Sequence, residues 1–417
     1  MEKKIDKMNK KIIITIFLLM IIIALVLFIF FNNDNKLSTD DKLIPDNKLS
    51  KDELIEQKVN QIMENMTIEQ KISQMLIIYY ENDEVGEDIL ETLNKNTLGG
   101  FILMKKNFTT YDKTKEFVST LQENSSIPLI ISVDQEGGNV QRMQYLTDVN
   151  PTYIPYMYDL GKTNDEHLSY QVGKIMAEEL RTIGANVTYA PVADIYLNKN
   201  NTVIGKRSFS ENPDTVSKMS TNLAKGLEEN GVIATYKHFP GHGDTDIDSH
   251  YNLPVINKTY NEINEVELIP FKKAIEQGAK IIMVGHIALP QITGDNTPAT
   301  LSKVIITDIL KDNMGYNGLV ITDALNMKAL TNTYSNSEIY IKSVEAGVDL
   351  LLMPNDYKEA INVIKNNITE ERINESVKKI LTFKYTYLED YKMLGKEVLG
   401  SSEHNKVIEQ IKVENNQ

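Results

Sequence analysis

The fold of this chain is decided by the stretch VIATYKHFPGHGDTDIDSH, residues 232–250. Its first five residues are apolar or β-branched and predict a short buried strand. The fourteen residues that follow contain three of the chain's six histidines, three aspartates and one lysine. A strand that leads directly into titratable groups is typical of an active site at the carboxyl end of a parallel strand.

Similar runs recur along the chain and predict a barrel. Each is nearly continuously apolar, as expected for a parallel strand that is buried on both faces. Amphipathic helical patterns separate the runs, so the chain is predicted to be an α/β protein folded as a (β/α)8 TIM-type barrel, with a doubly wound open sheet as the alternative. The eight predicted strands are residues 75–79, 100–104, 129–133, 187–190, 233–236, 281–284, 319–322 and 350–353.

Polar residues at several strand ends favour the barrel over the open sheet. The loops after the strands of a barrel converge on one face, where active sites lie. Residues of this kind are Asp134, Asp194, Lys237-His238, His286 and Asp323.

Helix start and stop signals delimit the folded body of the chain. Thr67 and Gln70 have the spacing of a capping box, and Pro213 behind Asn212 predicts a helix start. The last core-facing helical pattern ends near Tyr385. A single barrel domain over residues 51–391 is therefore predicted, followed by a frayed polar tail over residues 392–417.

The N-terminal segment predicts a membrane anchor. Residues 12–31 are apolar apart from Thr15, which is the length of a membrane-spanning helix. The lysines of the basic segment 1–11 place the N-terminus in the cytoplasm and the body outside it, joined by a polar linker over residues 32–50. A cleaved signal peptide is the alternative, although its apolar core is normally shorter.

Composition limits the partners. There are no cysteines, which excludes disulfides, thiolate metal sites and cysteine nucleophiles. Residues 1–11 contain five lysines and two acidic residues, a net charge of +3. Since the whole chain carries −14, residues 12–417 carry a net charge of −17. Such an acidic body disfavours nucleic acid as a partner.

The central loop offers two kinds of chemistry. His238 and His242 are four residues apart, but Pro240 prevents the regular helix on which that spacing would present both rings to a metal. A metal site that includes His250 stays open as an alternative. Asp248 and His250 are two residues apart, so the carboxylate can orient the imidazole as a general acid/base. The simpler alternative is a loop aspartate beside a solvated histidine.

Two further motifs carry candidate groups. Asp323 closes an apolar strand, where it can act as a nucleophile or charge stabiliser; its alternative role is to cap the next helix. Asp134 and Arg142 flank a Gly-Gly pair that allows close backbone approach to a ligand, and they can clamp hydroxyl and carbonyl groups. Arg207 is a further basic candidate, with a solvated loop arginine as the alternative.

Together these stretches resemble the β-N-acetylhexosaminidases of glycoside hydrolase family 3. The resemblance extends from about Leu54 to Tyr385. Its motifs occur in the family's order: DQEGG (134–138) with Arg142, VIGKRSF (203–209), KHFPGHG (237–243) through DSH (248–250), and TDALNM (322–327).

The resemblance implies a retaining glycosidase without a cofactor. Asp323 would be the nucleophile, and His250, oriented by Asp248 on a mobile loop, would replace the carboxylic acid/base that retaining glycosidases usually have. His242 is expected to be structural and His286 to line the pocket. Sugar binding is assigned by the same resemblance to Asp134, Arg142, Arg207, Lys237 and His238.

The predicted function is removal of terminal N-acetylglucosamine from peptidoglycan-derived or related glycans by an exo-acting enzyme outside the cytoplasmic membrane. The predicted partners are a glycan containing β-linked N-acetylglucosamine and the membrane, and the oligomeric state is left open. Alternatives in the same fold are a glycoside phosphorylase, a β-glucosidase-type activity and an inactive membrane-tethered glycan-binding protein. A metal-dependent hydrolase is the remaining alternative.

Overall fold

Strands and helices alternate along almost the whole of the described chain. The computed structural model describes residues 49–245, 249 and 252–414, and of Asn96 and residues 413–414 it describes the backbone alone. The basic segment 1–11, the predicted anchor 12–31 and most of the linker lie outside the described residues. Within them, no helix combines the length and apolar character needed to cross a membrane.

The strands of the described residues are β1 Leu76–Ile78, β2 Gly100–Leu103, β3 Ile130–Val133, β4 Gln135–Gly137, β5 Val140–Gln141, β6 Val187–Thr188, β7 Ile233–Phe239, β8 Ile281–Val284, β9 Leu319–Thr322 and β10 Leu351–Leu352. Eight of them form one parallel sheet, in the spatial order β10-β1-β2-β3-β6-β7-β8-β9. The sheet closes because the Thr322 amide donates to the Leu350 carbonyl at 3.0 Å, joining β9 to the residue before β10. A separate antiparallel hairpin of β4 and β5 follows β3.

Helices surround this barrel. Thr67 caps its helix with the reciprocal capping box that the sequence predicts, and the Asn212 side chain caps the helix that begins at Pro213. The α-helices are Lys51–Asn65, Ile68–Gln74, Glu87–Asn96, Tyr111–Glu123, Met157–Thr163, Glu166–Thr182, Pro213–Glu229, Tyr260–Glu265, Ile269–Glu276, Pro290–Thr293, Lys328–Thr331, Asn336–Ala346, Tyr357–Asn367, Glu370–Tyr387 and Ser402–Glu414, and Val304–Asn313 is of the π type.

The predicted barrel is confirmed, and all eight predicted strands occur. Every residue of β1, β2, β3, β8 and β9 is buried, which is why these strands have no polar alternation. Burial of each large aliphatic side chain contributes roughly 1.5–3 kcal/mol. The barrel is therefore held mainly by its interior and by the helices packed around it.

One strand is longer than its sequence indicates. β7 was predicted to end at Tyr236 but continues to Phe239, so Lys237 and His238 belong to the strand and not to the loop after it. Its pairing with β8 shifts register between Tyr236 and Phe239. The two polar side chains are tolerated in a buried strand because carboxylates from neighbouring strand ends pair with them.

The prediction of a frayed C-terminal tail is wrong for the half of that segment that forms a helix. Residues Ser402–Glu414 form a helix, and Ile408 and Ile411 on it are buried in the core. Two apolar side chains three residues apart lie on one helical face, which is enough to dock a short helix. Its contacts are with the helices Glu166–Thr182 and Met157–Thr163.

Candidate active site

The polar residues after β3 are carried by the β4–β5 hairpin. Asp134 lies between β3 and β4, and Arg142 directly follows β5. The turn between the strands needs glycine: Gly138 has φ +56°, and a Cβ there would lie 2.2 Å from the ring of Tyr156. The hairpin therefore folds back so that its two ends stand together at the carboxyl end of β3.

Lys237 joins the two carboxylates of this hairpin. Its ammonium lies 2.9 Å from Asp134 Oδ1 and 2.5 Å from Glu136 Oε1. Burial favours the neutral amine, but Asp134 and Glu136 outweigh that effect and raise the pKa of Lys237. Arg142 approaches Asp134 from the other side, with Nη2 3.4 Å from Oδ2. The lysine is thus held charged within the barrel mouth.

Glu136 and Arg207 form a bidentate pair across the mouth. Arg207 Nε and Nη2 donate to the two Glu136 oxygens at 2.7 and 2.8 Å, and Nη1 donates to the Val203 carbonyl at 3.0 Å. Burial alone would raise the pKa of Glu136, but the charges of Arg207 and Lys237 hold it well below its ordinary value. Both oxygens of Glu136 are therefore committed to cations.

Asp194 fixes the end of β7 and the loop after it. Its carboxylate accepts the backbone amides of His238 at 3.2 Å and His242 at 2.6 Å, and it contacts His238 Nδ1 at 2.6 Å. Burial opposes its charge, but His238 and the amide donors lower the pKa of Asp194. Because the Asp194 carboxylate holds Nδ1, the other ring nitrogen of His238, Nε2, points away from Asp194.

His242 is occupied by the loop itself. Nδ1 lies 2.7 Å from Thr245 Oγ1 and Nε2 lies 3.2 Å from Ser249 Oγ. Burial, with help from His238, lowers the pKa of His242 to about 4. These contacts give His242 the structural position expected of it, with both ring nitrogens engaged. Within the described ranges no group of three or more candidate ligands is arranged to hold a metal ion.

Asp323 stands one residue beyond the end of β9. Its amide donates to the Val284 carbonyl at 3.0 Å, and one carboxylate oxygen accepts the Ala324 amide at 2.7 Å. Burial alone would raise its pKa, but His286, His238, the Ala324 amide and Lys237 together lower it. His286 is fully buried beside it, with Nε2 3.0 Å from the Ala324 carbonyl. Asp323 is therefore an ionised carboxylate in a buried, cation-rich mouth.

The predicted acid/base residues Asp248 and His250 lie outside the described residues. Ser249, which separates them in the chain, is described and buried. Its carbonyl accepts the Ala329 amide at 3.3 Å, and its hydroxyl contacts His242. The described part of this loop is thereby tied both to Asp194 and to the segment that follows Asp323.

The glycine of this loop has a packing role. A Cβ on Gly243 would lie 1.6 Å from the Ile195 carbonyl oxygen, so this position accepts no side chain without a backbone shift. The close contact explains Gly243 on its own, and the mobility of this loop stays a prediction.

The site brings most predicted residues together. Asp134, Arg142, Lys237 and Arg207 are linked through Glu136 and one another, while His238 and Asp323 interact electrostatically at the neighbouring strand ends. Fixed charges of both signs in a mouth shielded from water can bind the hydroxyl and carbonyl groups of a polar ligand. An ionised carboxylate beside them can attack an electrophilic carbon.

Two residues of the network were given no role from sequence. Glu136 lies inside the DQEGG motif, and Asp194 was noted only as a polar strand-end residue. The available signal was charge: the cations Arg207, Lys237 and His238, if buried, require carboxylates that the other motifs must supply. Glu136 pairs with Arg207, 71 positions away, and with Lys237, still further along the chain, so these pairings could not be assigned from spacing.

Comparison with known proteins agrees with this architecture. The protein-family model "Glycosyl hydrolase family 3 N terminal domain" matches residues 67–383 of this chain. The chain is 31% identical over 330 residues to Beta-hexosaminidase A of Pseudoalteromonas piscicida, covering 71% of this chain and 55% of that protein. It is 34% identical over 284 residues to the Beta-hexosaminidase of Nitrosomonas eutropha, covering 66% and 80%.

Solved structures show the same relationship. A glycoside hydrolase family 3 beta-N-acetylglucosaminidase from Paenibacillus sp. str. FPU-7 superposes with a TM-score of 0.77 at 32% identity, covering 84% of this chain and 69% of that one. A beta-glucoside phosphorylase, BglX, gives 0.78 at 27% identity, covering 87% and 67%.

Fold and site define a barrel enzyme with a strand-end carboxylate at a polar, charge-paired mouth. The chain belongs to glycoside hydrolase family 3, in which it groups with the β-N-acetylhexosaminidases, as its motifs indicate. It spans little more than half of the Pseudoalteromonas enzyme and most of the Nitrosomonas enzyme.

Proposed function

We propose that this enzyme is a retaining exo-β-N-acetylglucosaminidase that removes terminal N-acetylglucosamine through a covalent glycosyl-enzyme intermediate. The observation that carries the proposal is the state of Asp323, an ionised carboxylate at the end of β9 surrounded by His286, His238 and Lys237. Such a carboxylate is ready to act as a nucleophile at neutral pH. The names of its relatives supply the sugar.

The reaction has two displacements. Asp323 forms a bond to the anomeric carbon as the bond to the leaving oxygen breaks, and the His250 imidazolium protonates that oxygen. The neutral imidazole then takes a proton from water, whose oxygen replaces Asp323 on the sugar. Support for His250 near the nucleophile comes from Ser249, its neighbour in the chain, whose carbonyl binds the Ala329 amide six residues beyond Asp323.

Sugar binding falls to the charged groups at the mouth. Arg142 Nε is buried and has no hydrogen-bond partner among the described residues, so it is free to donate to a ligand. Leaving such a donor unsatisfied costs about 1–3 kcal/mol, which a sugar hydroxyl or acetyl carbonyl would recover on binding. Asp134 and Lys237 stand beside it with complementary charge.

We further propose that the natural substrate comes from peptidoglycan and that the enzyme works on the outer face of the cytoplasmic membrane, anchored by residues 12–31. Lys206, directly before Arg207, is exposed and lies 5.7 Å from the ring centroid of Tyr156, which packs on the hairpin turn. A cation at this rim of an otherwise acidic protein suits a leaving group that carries a carboxylate, such as N-acetylmuramic acid.

The first test is turnover of 4-nitrophenyl β-N-acetylglucosaminide by the full chain in detergent, with Asp323→Ala and His250→Ala beside it. Asp323→Ala should be inactive and His250→Ala strongly impaired. Azide added to His250→Ala should attack the glycosyl-enzyme intermediate and give a sugar azide with retained configuration. Equal turnover of the aryl β-glucoside would refute the assignment of the sugar. Formation of sugar 1-phosphate in phosphate buffer would show that the enzyme is a phosphorylase and not a hydrolase.

A further inference from the structure

The segment Lys392–Glu414, which we call the C-terminal strap, lies beyond the residues that match the family model. It is bound to the end of the helix Glu166–Thr182. The Leu394 amide donates to the Arg181 carbonyl at 3.2 Å, and Arg181 Nε and Nη2 donate to the Lys392 carbonyl at 3.0 and 2.8 Å. The strap therefore follows the outside of the barrel and is held at several points.

Glu179 on that helix is the central contact of the strap. Its carboxylate is buried and accepts the Gly400 amide at 2.9 Å, the Thr152 amide at 3.0 Å and the Thr152 hydroxyl at 2.6 Å. The backbone of Gly400 reaches this position because it has no side chain: a Cβ would lie 2.1 Å from the Asn150 carbonyl oxygen. One carboxylate thus joins the strap to residues 150–152.

His404 adds a charge to this junction. Its Nδ1 lies 3.1 Å from Glu179 Oε1 and its Nε2 lies 2.9 Å from Glu178 Oε2. Carboxylates that face both ring nitrogens favour the imidazolium form, in which each nitrogen donates a hydrogen bond. Glu178 also lies 3.8 Å from Lys174, and elsewhere on the strap Lys396 pairs with Asp148 at 3.5 Å.

A short path leads from this junction to the sugar-binding hairpin. Ile154, two residues after Thr152, accepts the Gly138 amide at 3.0 Å through its carbonyl. Its amide donates to Gln141 Oε1 at 2.9 Å, and Gln141 Nε2 donates back to the Ile154 carbonyl at 3.0 Å. Gln141 directly precedes Arg142. The wall that carries Arg142 is therefore braced by the segment that Glu179 holds.

We propose that Glu179 and His404 are positioning residues for the sugar site, acting through Thr152 and Ile154 on the hairpin that carries Asp134 and Arg142. This rests on the proposed role of that hairpin in sugar binding. Without the junction, residues 150–156 lose their anchor and Arg142 loses its defined orientation. The defect is therefore in substrate binding, and the chemistry at Asp323 is left intact.

The brace depends on pH through His404. Burial opposes its charge, but Glu179 and Glu178 outweigh burial and raise its pKa above the ordinary value of 6.5. A raised pKa means that the junction is fully formed below the ordinary value and is lost as the pH rises through the raised one. Affinity for the sugar should fall over the same alkaline range.

The test compares His404→Gln and Glu179→Gln with the control His167→Gln, all in the full chain. His167 is an exposed histidine on the helix that carries Glu179. We expect KM for the aryl N-acetylglucosaminide to rise about fivefold in the first two variants with kcat within twofold, and no change in the control. The alkaline loss of affinity in the parent should be absent from His404→Gln.

A second measurement separates this proposal from the proposed activity. Calorimetric titration with free N-acetylglucosamine reports the sugar site even in a protein without turnover. A weaker affinity in His404→Gln and Glu179→Gln supports positioning, whatever the activity of the parent. A lower melting temperature with unchanged KM, affinity and pH dependence would show that the strap only stabilises the fold, and would overturn the proposal.

Discussion

Lys237 and Lys384 are buried at opposite ends of the barrel and behave in opposite ways. Lys237, at the carboxyl end of β7, lies against Asp134 and Glu136, which raise its pKa. Lys384 is fully buried near the amino ends of β1 and β2, where its amine donates to Gln74 Oε1 at 2.7 Å and no ion pair of the described residues involves it. Burial lowers its pKa to about 7.

The difference shows what a buried charge needs. Desolvation acts on both amines, and only neighbouring carboxylates can reverse it. At the carboxyl end of the strands the barrel provides those carboxylates, and in doing so it keeps Lys237 charged at the proposed sugar site. At the other end the same side chain serves packing and a single amide hydrogen bond. Substitutions at the two ends should therefore have contrasting effects.

The largest expected effect comes from Lys237→Met. It leaves the buried Glu136 and the half-buried Asp134 with one cation fewer, which should destabilise the fold by about 3–5 kcal/mol. We also expect kcat/KM to fall by about 10³-fold, because the variant loses a charge to which we assign sugar binding. Lys384→Met, the same chemical change, should keep kcat/KM within twofold. Equal losses of kcat/KM in the two variants would contradict the comparison.

Glu136→Gln should have a smaller but clear effect. It removes the charge that holds Arg207 in bidentate geometry and leaves two cations facing each other, so kcat/KM should fall by roughly 10- to 100-fold. The matched control is Asp159→Asn, which breaks a surface pair with Lys162 at 3.7 Å and should change stability by less than about 1 kcal/mol. Steady-state kinetics gives kcat/KM and chemical unfolding gives the stability of each variant. Equal losses in Glu136→Gln and Asp159→Asn would show that the pairing of Glu136 with Arg207 matters no more than a surface ion pair.

Lys384→Met should change how stability depends on pH. Between about pH 7 and the ordinary lysine pKa of 10.5, the unfolded parent binds more protons than the folded parent. The contribution of this group to parental stability therefore rises with pH, and the variant lacks that contribution. The melting temperature of the variant relative to the parent should be highest near pH 6 and should decline towards pH 10. A difference independent of pH would show that Lys384 is not desolvated.

The smallest effect is predicted for His242, the neutral counterpart of these charges. Because burial lowers its pKa to about 4, its ring resonances should not titrate between pH 5 and 9. Histidine-selective NMR of the full chain in detergent, assigned by the His242→Gln variant, measures this. A titration step near neutral pH would mean that the ring is solvated and not enclosed by Thr245 and Ser249.

The barrel was predictable because its strands are local signals. Runs such as Ile281–Val284 are apolar throughout, and no long-range information is needed to read them. The end of β7 was not predictable in this way: Lys237 and His238 read as loop, and only Asp134, Glu136 and Asp194 from other strand ends make them acceptable in a buried strand. The C-terminal helix escaped prediction because its buried face rests on few apolar residues, chiefly Ile408 and Ile411.

At the site, the motifs predicted which residues meet but not how they pair. Asp134 contacts both Arg142 and Lys237, with which the resemblance groups it. The commitment of Glu136 to Arg207 and the anchoring of His238 by Asp194 follow from backbone geometry that no spacing rule contains. The roles of Asp248 and His250 stay predictions, because both residues lie outside the described ranges.

The paired charges also determine the proton inventory of the site. Glu136, Asp194 and Asp323 all have lowered pKa values, so none of them carries a proton to give to a leaving group at neutral pH. His242 cannot donate that proton either, because its lowered pKa keeps its ring neutral at neutral pH. If an imidazole supplies the proton, the alkaline limb of the rate profile must move with temperature, since imidazole ionisation is endothermic and carboxyl ionisation is nearly athermal. Warming the enzyme should therefore shift its optimum towards acid.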